Sequence, residues 1–491
     1  MELPSIPRVP PWKAERKRPF RHILFSVIQQ PMNRRGFLAC GLSACLLRGQ
    51  AARPNVIFLL TDDQRWDTLG CMGNRIIQTP QIDRLSEKGV TFENCFVTTS
   101  ICMTSRASIF SGLYARAHGI HDFAKPFSED QFAGTYPARM RAAGYHTGFI
   151  GKYGVGNKMP EQKFDYWRGF PGQGKYFPDN SNKHLTEMMG DQALEFMETA
   201  PAGKPFQLSI SFKAAHVQDE DPRQFLPSAA TEGLYKNVKF PVPKTADPRY
   251  ISQLPFEVQR SENRKRWAVR FGTPELYQES VRNYYRLITE VDTVVGRIRD
   301  QLKRVNQDQN TVIVFTGDNG FYLGEHGLAG KWLMHEESIR VPLIVYDPRL
   351  PASAQGVRRK EMALNIDLAP TLLQAAGLEA VTGMQGRSLY PLLGSGKPGW
   401  RKDWFYEHKL ANDWIPPTEG VRNERWKYTR YMKTSPQFEE LFDLEKDPLE
   451  ERNLARAEGY RAQLDGMRSR WTKWNDNLND WRPHTAWSEP L

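Results

Sequence analysis

Four stretches of the chain are continuously apolar, and two of them end abruptly in acidic residues. Residues 55–64 read NVIFLLTDDQ and residues 310–320 read NTVIVFTGDNG, while FQLSISF at 206–212 and VPLIVYD at 341–347 share the apolar run. Apolar runs of this length without alternation are typical of strands that are covered on both faces in a parallel sheet. The pattern therefore predicts a buried central sheet.

Segments with helical periodicity lie between these runs. In SVRNYYRLITEVDTVVGRIRDQLKRV, residues 280–305, apolar side chains recur three or four positions apart. They are Tyr284, Leu287, Ile288, Val291, Val294, Val295, Ile298 and Leu302. This spacing predicts a helix with one buried face. Alternating buried strands and amphipathic helices predict an α/β fold, with a large, doubly wound, mostly parallel sheet and helices on both faces.

A second zone follows the turn-rich segment LLGSGKPGW at residues 392–400. Short strands are predicted for DWFYEH and RWKYTRY, and a tryptophan-rich tail begins at Arg470. We therefore expect a large α/β domain at residues 54–395 and a smaller C-terminal α+β domain, with a short antiparallel sheet, at 396–491. Residues 213–275 are rich in proline and charge, which predicts long surface loops that border the site.

The formal net charge of the chain is +11, and most of it lies near the N-terminus. Residues 1–53 hold ten Lys/Arg and two acidic residues, so eight of the eleven net positive charges belong to this segment. The remainder of the chain is close to neutral. This distribution argues against a nucleic-acid-binding protein.

Residues 1–53 have the form of an export leader. Arg34 and Arg35 precede an apolar run at residues 37–47, which is too short to span a bilayer. NRRGFL is similar to a twin-arginine signal, and the small residues that end at Ala51 offer a cleavage site. We therefore expect export to the periplasm or the extracellular space, with the export machinery as a partner.

Two other interpretations of this leader stay open. The sequence LSAC, which ends at Cys45, is similar to a lipobox, so a lipid anchor on Cys45 is an alternative. A buried N-terminal helix is the other. The signal-like segment begins at Met32, which is a plausible translation start, so that residues 1–31 would lie upstream of a start that was assigned too early.

Two acidic pairs follow separate apolar runs. Asp62 and Asp63 come after the first run, and Asp318 and Asn319 come after the third. Ligands of doubly wound sheets gather beyond the carboxyl ends of the strands, and Ca²⁺ and Mg²⁺ prefer oxygen ligands. Clustered carboxylates repel one another unless a cation lies among them. The pairs therefore predict a metal site, although Asp and Asn after strands also serve as turn and helix-cap residues.

The cysteines imply no disulfide framework. Two of the five lie in the leader, and the three that remain are Cys71, Cys95 and Cys102. Cys71 and Cys95 could pair, or they could be small core residues. Cys102 stands in TTSICMTSRASIFSG, residues 98–112, where it precedes Arg106 by one turn of a predicted helix. An unmodified thiol gives no evident reason for an arginine one helical turn later.

Further motifs accompany the cysteine segment, between residue 54 and about residue 457. They read LLTDDQRWDTLGCMGN, TPQIDRLSEKGVTFENCFVTTSICMTSRASIFSGLYARAHGI, GKYGVG, TGDNGFYLGEHGLAGKWLMHEESIRVPLIVYDP, NIDLAPTLLQAAG and ELFDLEKDPLEERNLA. Together and in this order they resemble the type I sulfatases of the alkaline-phosphatase superfamily. The resemblance implies a sulfuric ester hydrolase of the arylsulfatase or glycan sulfatase type.

The resemblance also implies the chemistry of the site. In that family a formylglycine-generating enzyme oxidises the motif cysteine to formylglycine, whose hydrate is the nucleophile. By position, the catalytic residues implied here are Cys102, Arg106, Lys152, His216 and Lys331. Arg106 would stand beside the nucleophile, the two lysines would bind sulfate oxygens, and His216 would protonate the leaving group.

The implied metal site holds one divalent ion, Ca²⁺ or alternatively Mg²⁺. Its ligands would be Asp62, Asp63, Asp318, Asn319 and the residue formed from Cys102.

Two positions depart from the family pattern. Thr104 stands two residues after Cys102, where the family has proline or alanine, and Gly154 stands where many members have a histidine. His326 and His408 are the predicted substrate contacts, and each could equally be a core or surface residue.

The resemblance implies a sulfated carbohydrate as substrate, cleaved as an ester or a sulfamate. Arg422, Arg425, Trp426 and Lys427 either line its binding site or form a solvated strand face. Two other functions stay open. One is a formylglycine-dependent phosphonate or phosphate ester hydrolase, and the other is a non-catalytic protein that binds sulfated glycans if Cys102 is not converted.

Overall fold

The computed structural model describes residues 53–490, apart from residues 395, 397, 398 and 411–413. The predicted leader, with Arg34-Arg35, Cys45 and the cleavage site after Ala51, lies outside the described residues. In the part of the chain that is described, no helix is both long and apolar enough to cross a membrane.

The secondary structure alternates between strands and helices through most of the chain. The strands are β1 (Asn55–Thr61), β2 (Val90–Phe96), β3 (His146–Lys152), β4 (Tyr166–Phe170), β5 (Phe206–Ser211), β6 (Thr311–Gly317), β7 (Tyr322–Leu323), β8 (Ala329–Gly330), β9 (Arg340–Tyr346), β10 (Val357–Arg359), β11 (Ala363–Leu364), β12 (Asp403–His408), β13 (Thr418–Asn423), β14 (Trp426–Tyr431) and β15 (Phe438–Asp443). The helices are α1 (Pro80–Lys88), α2 (Cys102–Ser111), α3 (Ala115–His118), α4 (Glu129–Ala133), α5 (Tyr136–Ala142), α6 (Leu185–Thr199), α7 (Pro248–Ile251), α8 (Phe256–Gln259), α9 (Glu262–Phe271), α10 (Pro274–Arg304), α11 (Glu336–Ile339), α12 (Leu368–Ala375), α13 (Tyr390–Leu393) and α14 (Arg461–Asp480).

A nine-stranded sheet forms the centre, with the strand order β10-β2-β9-β6-β1-β5-β3-β4 and β11 paired to β2. β1 lies between β5 and β6 and runs parallel to both. β9 is antiparallel to its neighbours β2 and β6, whereas the other pairings are parallel. The apolar run at 341–347, which forms β9, predicted burial on both faces. Such a run does not show whether the strand is parallel or antiparallel to its neighbours. The predicted mostly parallel sheet is confirmed.

Helices cover both faces of this sheet, and β1 shows why the run is apolar throughout. Its alternate side chains Val56, Phe58 and Leu60 belong to a core that includes α2, α5 and α12. Ile57 and Leu59 point the other way, into a core that includes α1, α6 and α10. Because both faces are buried, a polar side chain at residues 56–60 would lose its hydration without gaining a partner, and the two polar residues of β1, Asn55 and Thr61, stand at its ends with hydrogen bonds. The doubly wound α/β fold is confirmed.

A four-stranded antiparallel sheet, β12-β13-β14-β15, follows in the C-terminal part. The long helix α14 packs on it, and the buried Trp474 of α14 donates a hydrogen bond to Asp403 at 2.8 Å. β12 also contacts the main domain, where the rings of Phe96 and Trp404 stack with centroids 5.3 Å apart. The Tyr406 hydroxyl donates to the carbonyl of Trp332 at 2.6 Å. The domain boundary at 395/396 stays a prediction.

Two expectations need correction. The segment 213–275 contains the short helices α7, α8 and α9 rather than loops alone. Arg422 and Lys427 are buried and pair with Glu336, at 2.9 and 3.2 Å, so they do not form a solvated strand face. Charged residues in a strand suggest that its face is exposed, but the sequence does not show buried ion-pair partners that come from distant segments.

Candidate active site

The two acidic pairs meet at one edge of the sheet. β1 and β6 are parallel neighbours with Thr61 opposite Gly317, so the residues that follow them emerge side by side. The backbone N–H of Asp63 donates to Asp318 Oδ1 at 3.2 Å, and Asn319 Nδ2 donates to Asp63 Oδ1 at 2.6 Å. Side chains separated by about 255 positions in sequence thus form one buried cluster.

The oxygen atoms of this cluster fit a hard cation. Asp62 Oδ1 and Asn319 Oδ1 are buried and, among the described residues, have no hydrogen-bond partner. Buried acceptors are ordinarily satisfied, so these two oxygens indicate a missing donor or ion. Ligand atoms of Asp62, Asp63 and His216 also lie within 4.8 Å of one another. A donor set rich in carboxylate oxygen suits Ca²⁺ or Mg²⁺.

The carboxylates differ in their electrostatic surroundings. Burial alone would raise the pKa of Asp62, but Lys152 and the other nearby cations hold it well below its usual value. Burial, and next the charge of Asp62, raise the pKa of Asp318 to about 6. Burial likewise raises the pKa of Asp63, against the attraction of Lys331. A divalent ion among these groups would favour the ionised form of all three.

Cys102 is the first residue of α2 and is 2% exposed. Every residue of this helix is buried, which is unusual for a segment that contains an arginine and several hydroxyl groups. The unpaired N–H groups at a helix start create positive potential. Cys102 therefore lies in a closed, electropositive position.

Arg106 connects the cluster to α2. Its Nε donates to Asp318 Oδ2 at 2.8 Å and its Nη2 donates to Asp62 Oδ2 at 3.1 Å, so one guanidinium holds both acidic pairs. The remaining nitrogen donates to the carbonyl of Lys152 at 2.6 Å and to the hydroxyl of Ser211. These fully buried bonds explain why the residue one turn after Cys102 is an arginine.

Two lysines and a histidine complete the cluster. Lys152 Nζ lies 2.5 Å from Asp62 Oδ2, and Lys331 Nζ donates to Asp63 Oδ1. His216 Nε2 lies 3.6 Å from Asp63 Oδ2, and its Nδ1 lies 2.7 Å from the carbonyl of Val217. Because a carbonyl only accepts, Nδ1 carries the proton and Nε2 is the free nitrogen.

Cys102 lies close to these cations. Burial alone would lower the pKa of Lys331, but the negative charge of Asp63 raises it, with the next contribution from Cys102. Cys102 raises the pKa of Arg106 in the same way, after the larger effects of burial, Asp318 and Asp62. The five residues implied as catalytic and the two acidic pairs thus share one buried region.

A family model described as Sulfatase matches residues 54–378, and a second model, N-sulphoglucosamine sulphohydrolase, C-terminal, matches residues 324–477. The chain belongs to the sulfatase family. It is therefore a sulfuric ester hydrolase of the alkaline-phosphatase superfamily, as the motifs indicated.

Known proteins resemble this sulfatase over most of its length. An N-acetylglucosamine-6-O-sulfatase of Bacteroides thetaiotaomicron is 30% identical, over 87% of this chain and 88% of that protein. A solved structure in complex with its substrate, D-glucosamine-2-N,6-O-disulfate, is 27% identical with a TM-score of 0.75 and covers 88% of this chain and 99% of its own. A phosphonate monoester hydrolase from Silicibacter pomeroyi shares the fold, with a TM-score of 0.74 at 22% identity, covering 88% and 96%.

The two predicted substrate histidines lie outside the acidic cluster of the sulfatase. His326 is 2% exposed, and its ring stacks on that of His335 with centroids 4.5 Å apart. His408 ends β12 and is fully buried. Among the described residues, no hydrogen bond or ion pair joins either histidine to the acidic pairs. Their role as substrate contacts stays a prediction.

Sequence reasoning missed three residues around the site. Gln173 accepts a hydrogen bond from Lys152 Nζ at 2.5 Å, and Tyr284 donates from its hydroxyl to the carbonyl of Asp63 at 2.6 Å. Lys213 is buried, with its Nζ 5.0 Å from the centre of the Tyr176 ring. Burial, and next Lys152, lower the pKa of Lys213 to about 8. Its position three residues before His216 was the only available signal.

Gly154 cannot be replaced by a larger residue without a change at Arg106. Its φ is +72°, and a Cβ atom there would lie 2.6 Å from Arg106 Cδ. The side chain of Arg106 occupies the space that a histidine at 154 would need. In this chain the close approach of Arg106 therefore requires glycine at position 154.

Proposed function

We propose that this sulfatase is exported and removes sulfate from a sulfated carbohydrate, using formylglycine made from Cys102 and one divalent ion, Ca²⁺ or Mg²⁺. The proposed substrate class is a sulfated amino sugar. Support for it comes from the Bacteroides N-acetylglucosamine-6-O-sulfatase, whose alignment covers 87% of this chain, and from the structure bound to D-glucosamine-2-N,6-O-disulfate, whose alignment covers 88%.

One observation supports this function above the others. The guanidinium of Arg106, which is fully buried, holds an aspartate from each acidic pair while Cys102 starts the same helix. A buried cation that unites carboxylates of two strands next to a cysteine has no use in packing alone, because an apolar side chain would fill the space at lower cost.

Two groups would add chemistry that the side chains lack. Calcium held by Asp62, Asp63, Asp318 and Asn319 would supply Lewis acidity toward a sulfate oxygen. Formylglycine at position 102 would supply a hydrated aldehyde whose hydroxyl is the nucleophile.

The residues of the chain would bind and orient the sulfate group. Lys152 and Lys331 place two ammonium groups beside the acidic cluster, where they can stabilise negative charge on sulfate oxygens. His216 Nε2 is free to exchange a proton with the leaving oxygen, since its Nδ1–H is bound to the carbonyl of Val217. Arg106 fixes the carboxylates and so keeps these groups in one geometry.

The experiment is a comparison of modification and turnover. The protein is produced with a formylglycine-generating enzyme, the peptide containing Cys102 is analysed by mass spectrometry, and release of sulfate is measured from 6-O- and N-sulfated glucosamine. Cys102→Ala should abolish turnover with an unchanged circular dichroism spectrum. Cys71→Ala, which replaces a free, partly buried cysteine elsewhere, is the matched control and should keep full activity.

Other outcomes would identify the alternatives. Faster hydrolysis of a phosphonate ester than of a sulfate ester of the same alcohol would favour the phosphonate hydrolase. An unmodified thiol at Cys102 with tight binding of sulfated glucosamine and no turnover would favour the non-catalytic protein. Sulfate release by a sample with an unmodified thiol would refute the proposed nucleophile.

Export is a separate part of the proposal. It rests on the twin arginines Arg34 and Arg35 ahead of a short apolar run. N-terminal sequencing of the protein recovered outside the cytoplasm should begin after Ala51, whereas a lipid on Cys45 would show the anchored form. Substitution of both arginines by lysine should leave the protein in the cytoplasm.

A further inference from the structure

The ammonium of Lys152 is held from two sides. Its Nζ lies 2.5 Å from Asp62 Oδ2 and 2.5 Å from Gln173 Oε1, and the residue is 1% exposed. Asp62 belongs to the acidic cluster, whereas Gln173 belongs to the segment between β4 and α6 and is only partly buried. Gln173 is therefore the neutral partner of this lysine, on a segment that reaches the surface.

Position 154, two residues after Lys152, cannot provide this partner. At Gly154, just beyond the end of β3, a Cβ atom would lie 2.6 Å from Arg106 Cδ and 3.6 Å from Lys152 Cε. The space next to the lysine stem is thus already filled by Arg106. A side chain at position 154 therefore cannot orient the ammonium, whereas Gln173, from another segment, contacts it directly.

The segment that carries Gln173 is fastened to the loop of His216. The Tyr176 hydroxyl donates to the carbonyl of His216 at 2.6 Å, and the Tyr176 N–H donates to Gln218 Oε1 at 2.9 Å. Tyr176 is fully buried, with Lys213 Nζ 5.0 Å from its ring centre. These contacts place Gln173 in a defined position relative to His216, rather than on a free loop.

We propose that Gln173 is a positioning residue for the sulfatase reaction, which orients the ammonium of Lys152 toward the sulfate oxygens. A neutral amide suits this role because it accepts a hydrogen bond without neutralising the lysine. A carboxylate at the same place would compete with the anionic substrate for that charge. This inference rests on the proposed function, since it assigns Lys152 to sulfate binding.

The test compares Gln173→Ala, Gln173→Glu and the control Lys175→Ala, an exposed residue of the same segment. The kcat and KM for one sulfate ester are measured, together with binding of inorganic sulfate by titration calorimetry. Gln173→Ala should lower kcat/KM and weaken sulfate binding about ten-fold, the equivalent of one hydrogen bond to a charged group. Gln173→Glu should weaken both further, and Lys175→Ala should change neither.

A double variant separates positioning from a general structural effect. In a Lys152→Ala background, Gln173→Ala should alter sulfate binding less than two-fold, because the group that it orients is gone. An equal loss in both backgrounds, or a Gln173→Ala variant that behaves as Lys175→Ala does, would overturn the inference. A wild-type protein that binds sulfate but cleaves no sulfate ester would instead refute the proposed function. The effect of Gln173→Ala on sulfate binding would still test the positioning role of Gln173.

Discussion

Gly154→Ala is expected to disturb the site through Arg106. The φ of Gly154 is +72°, in the left-handed region that L-residues avoid, and the new methyl group would lie 2.6 Å from Arg106 Cδ and 3.2 Å from its Nε. Arg106 has no alternative space, because it is fully buried and bound to Asp318, Asp62 and the carbonyl of Lys152. Either the backbone or the guanidinium has to move.

The magnitude follows from two contributions. A non-glycine residue in the left-handed region costs about 1–2 kcal/mol, and an extra methyl group in a packed core costs about 1–3 kcal/mol. We therefore expect the free energy of unfolding to fall by about 2–5 kcal/mol. Gly377→Ala is the matched control, since Gly377 has the same φ of +72° and nothing within 4 Å of its Cβ position.

The assay is urea unfolding followed by tryptophan fluorescence, combined with sulfate ester hydrolysis. Gly377→Ala should show the backbone cost alone with unchanged turnover. Gly154→Ala should be less stable than this control by about 1–3 kcal/mol and should lose at least about ten-fold in kcat/KM, since displaced carboxylates no longer hold their geometry. Equal stability of the two variants and full activity of Gly154→Ala would refute the packing argument.

Three further outcomes are expected. Chelation should lower the unfolding temperature in calorimetry, since the buried carboxylates of the acidic cluster then repel one another, and Ca²⁺ should restore it; an unchanged temperature would contradict the metal site. Burial, and next Glu450, raise the pKa of Glu440 to about 8 from 4.5, so the folded chain keeps a proton that the unfolded chain loses in this window. Stability should therefore fall as the pH rises from about 4.5 to 8, by up to about 1.4 kcal/mol per unit, and urea unfolding of Glu440→Gln should show a smaller slope. Arg401→Met should cost about 3–5 kcal/mol in urea unfolding because it leaves the fully buried Asp367 without its ion-pair partner, whereas the exposed Lys402→Met should cost almost nothing.

The sequence predicted the centre of the fold because burial on both faces leaves a direct trace. The runs inside β1 and β6 are apolar without interruption at residues 56–60 and 312–315. Parallel neighbours end at the same edge, so the meeting of Asp62–Asp63 with Asp318–Asn319 followed from topology. Cys102 and Arg106 stand one helical turn apart, which is a local spacing that a sequence displays.

The contacts of Gln173 and Lys213 could not be predicted in the same way. Gln173 meets Lys152 across 21 positions through a loop whose path depends on tertiary packing, and no local period encodes that path. Lys427 was misread for a related reason. Its strand is rich in charge, and only the folded chain shows that Lys427 forms buried ion pairs with Glu336 and Glu450.

The hydroxyl of Tyr406 joins the C-terminal sheet to the reaction centre. It donates to the carbonyl of Trp332, next to Lys331, and accepts from the N–H of Ser100 at 3.4 Å, two residues before Cys102. The terminal sheet thus supports the backbone next to Lys331 and Cys102. A shortened chain that ends before β12 would keep every residue assigned to catalysis and still lose the scaffold behind two of them. Chimeras with related enzymes should therefore exchange this sheet together with the segments around Ser100 and Trp332.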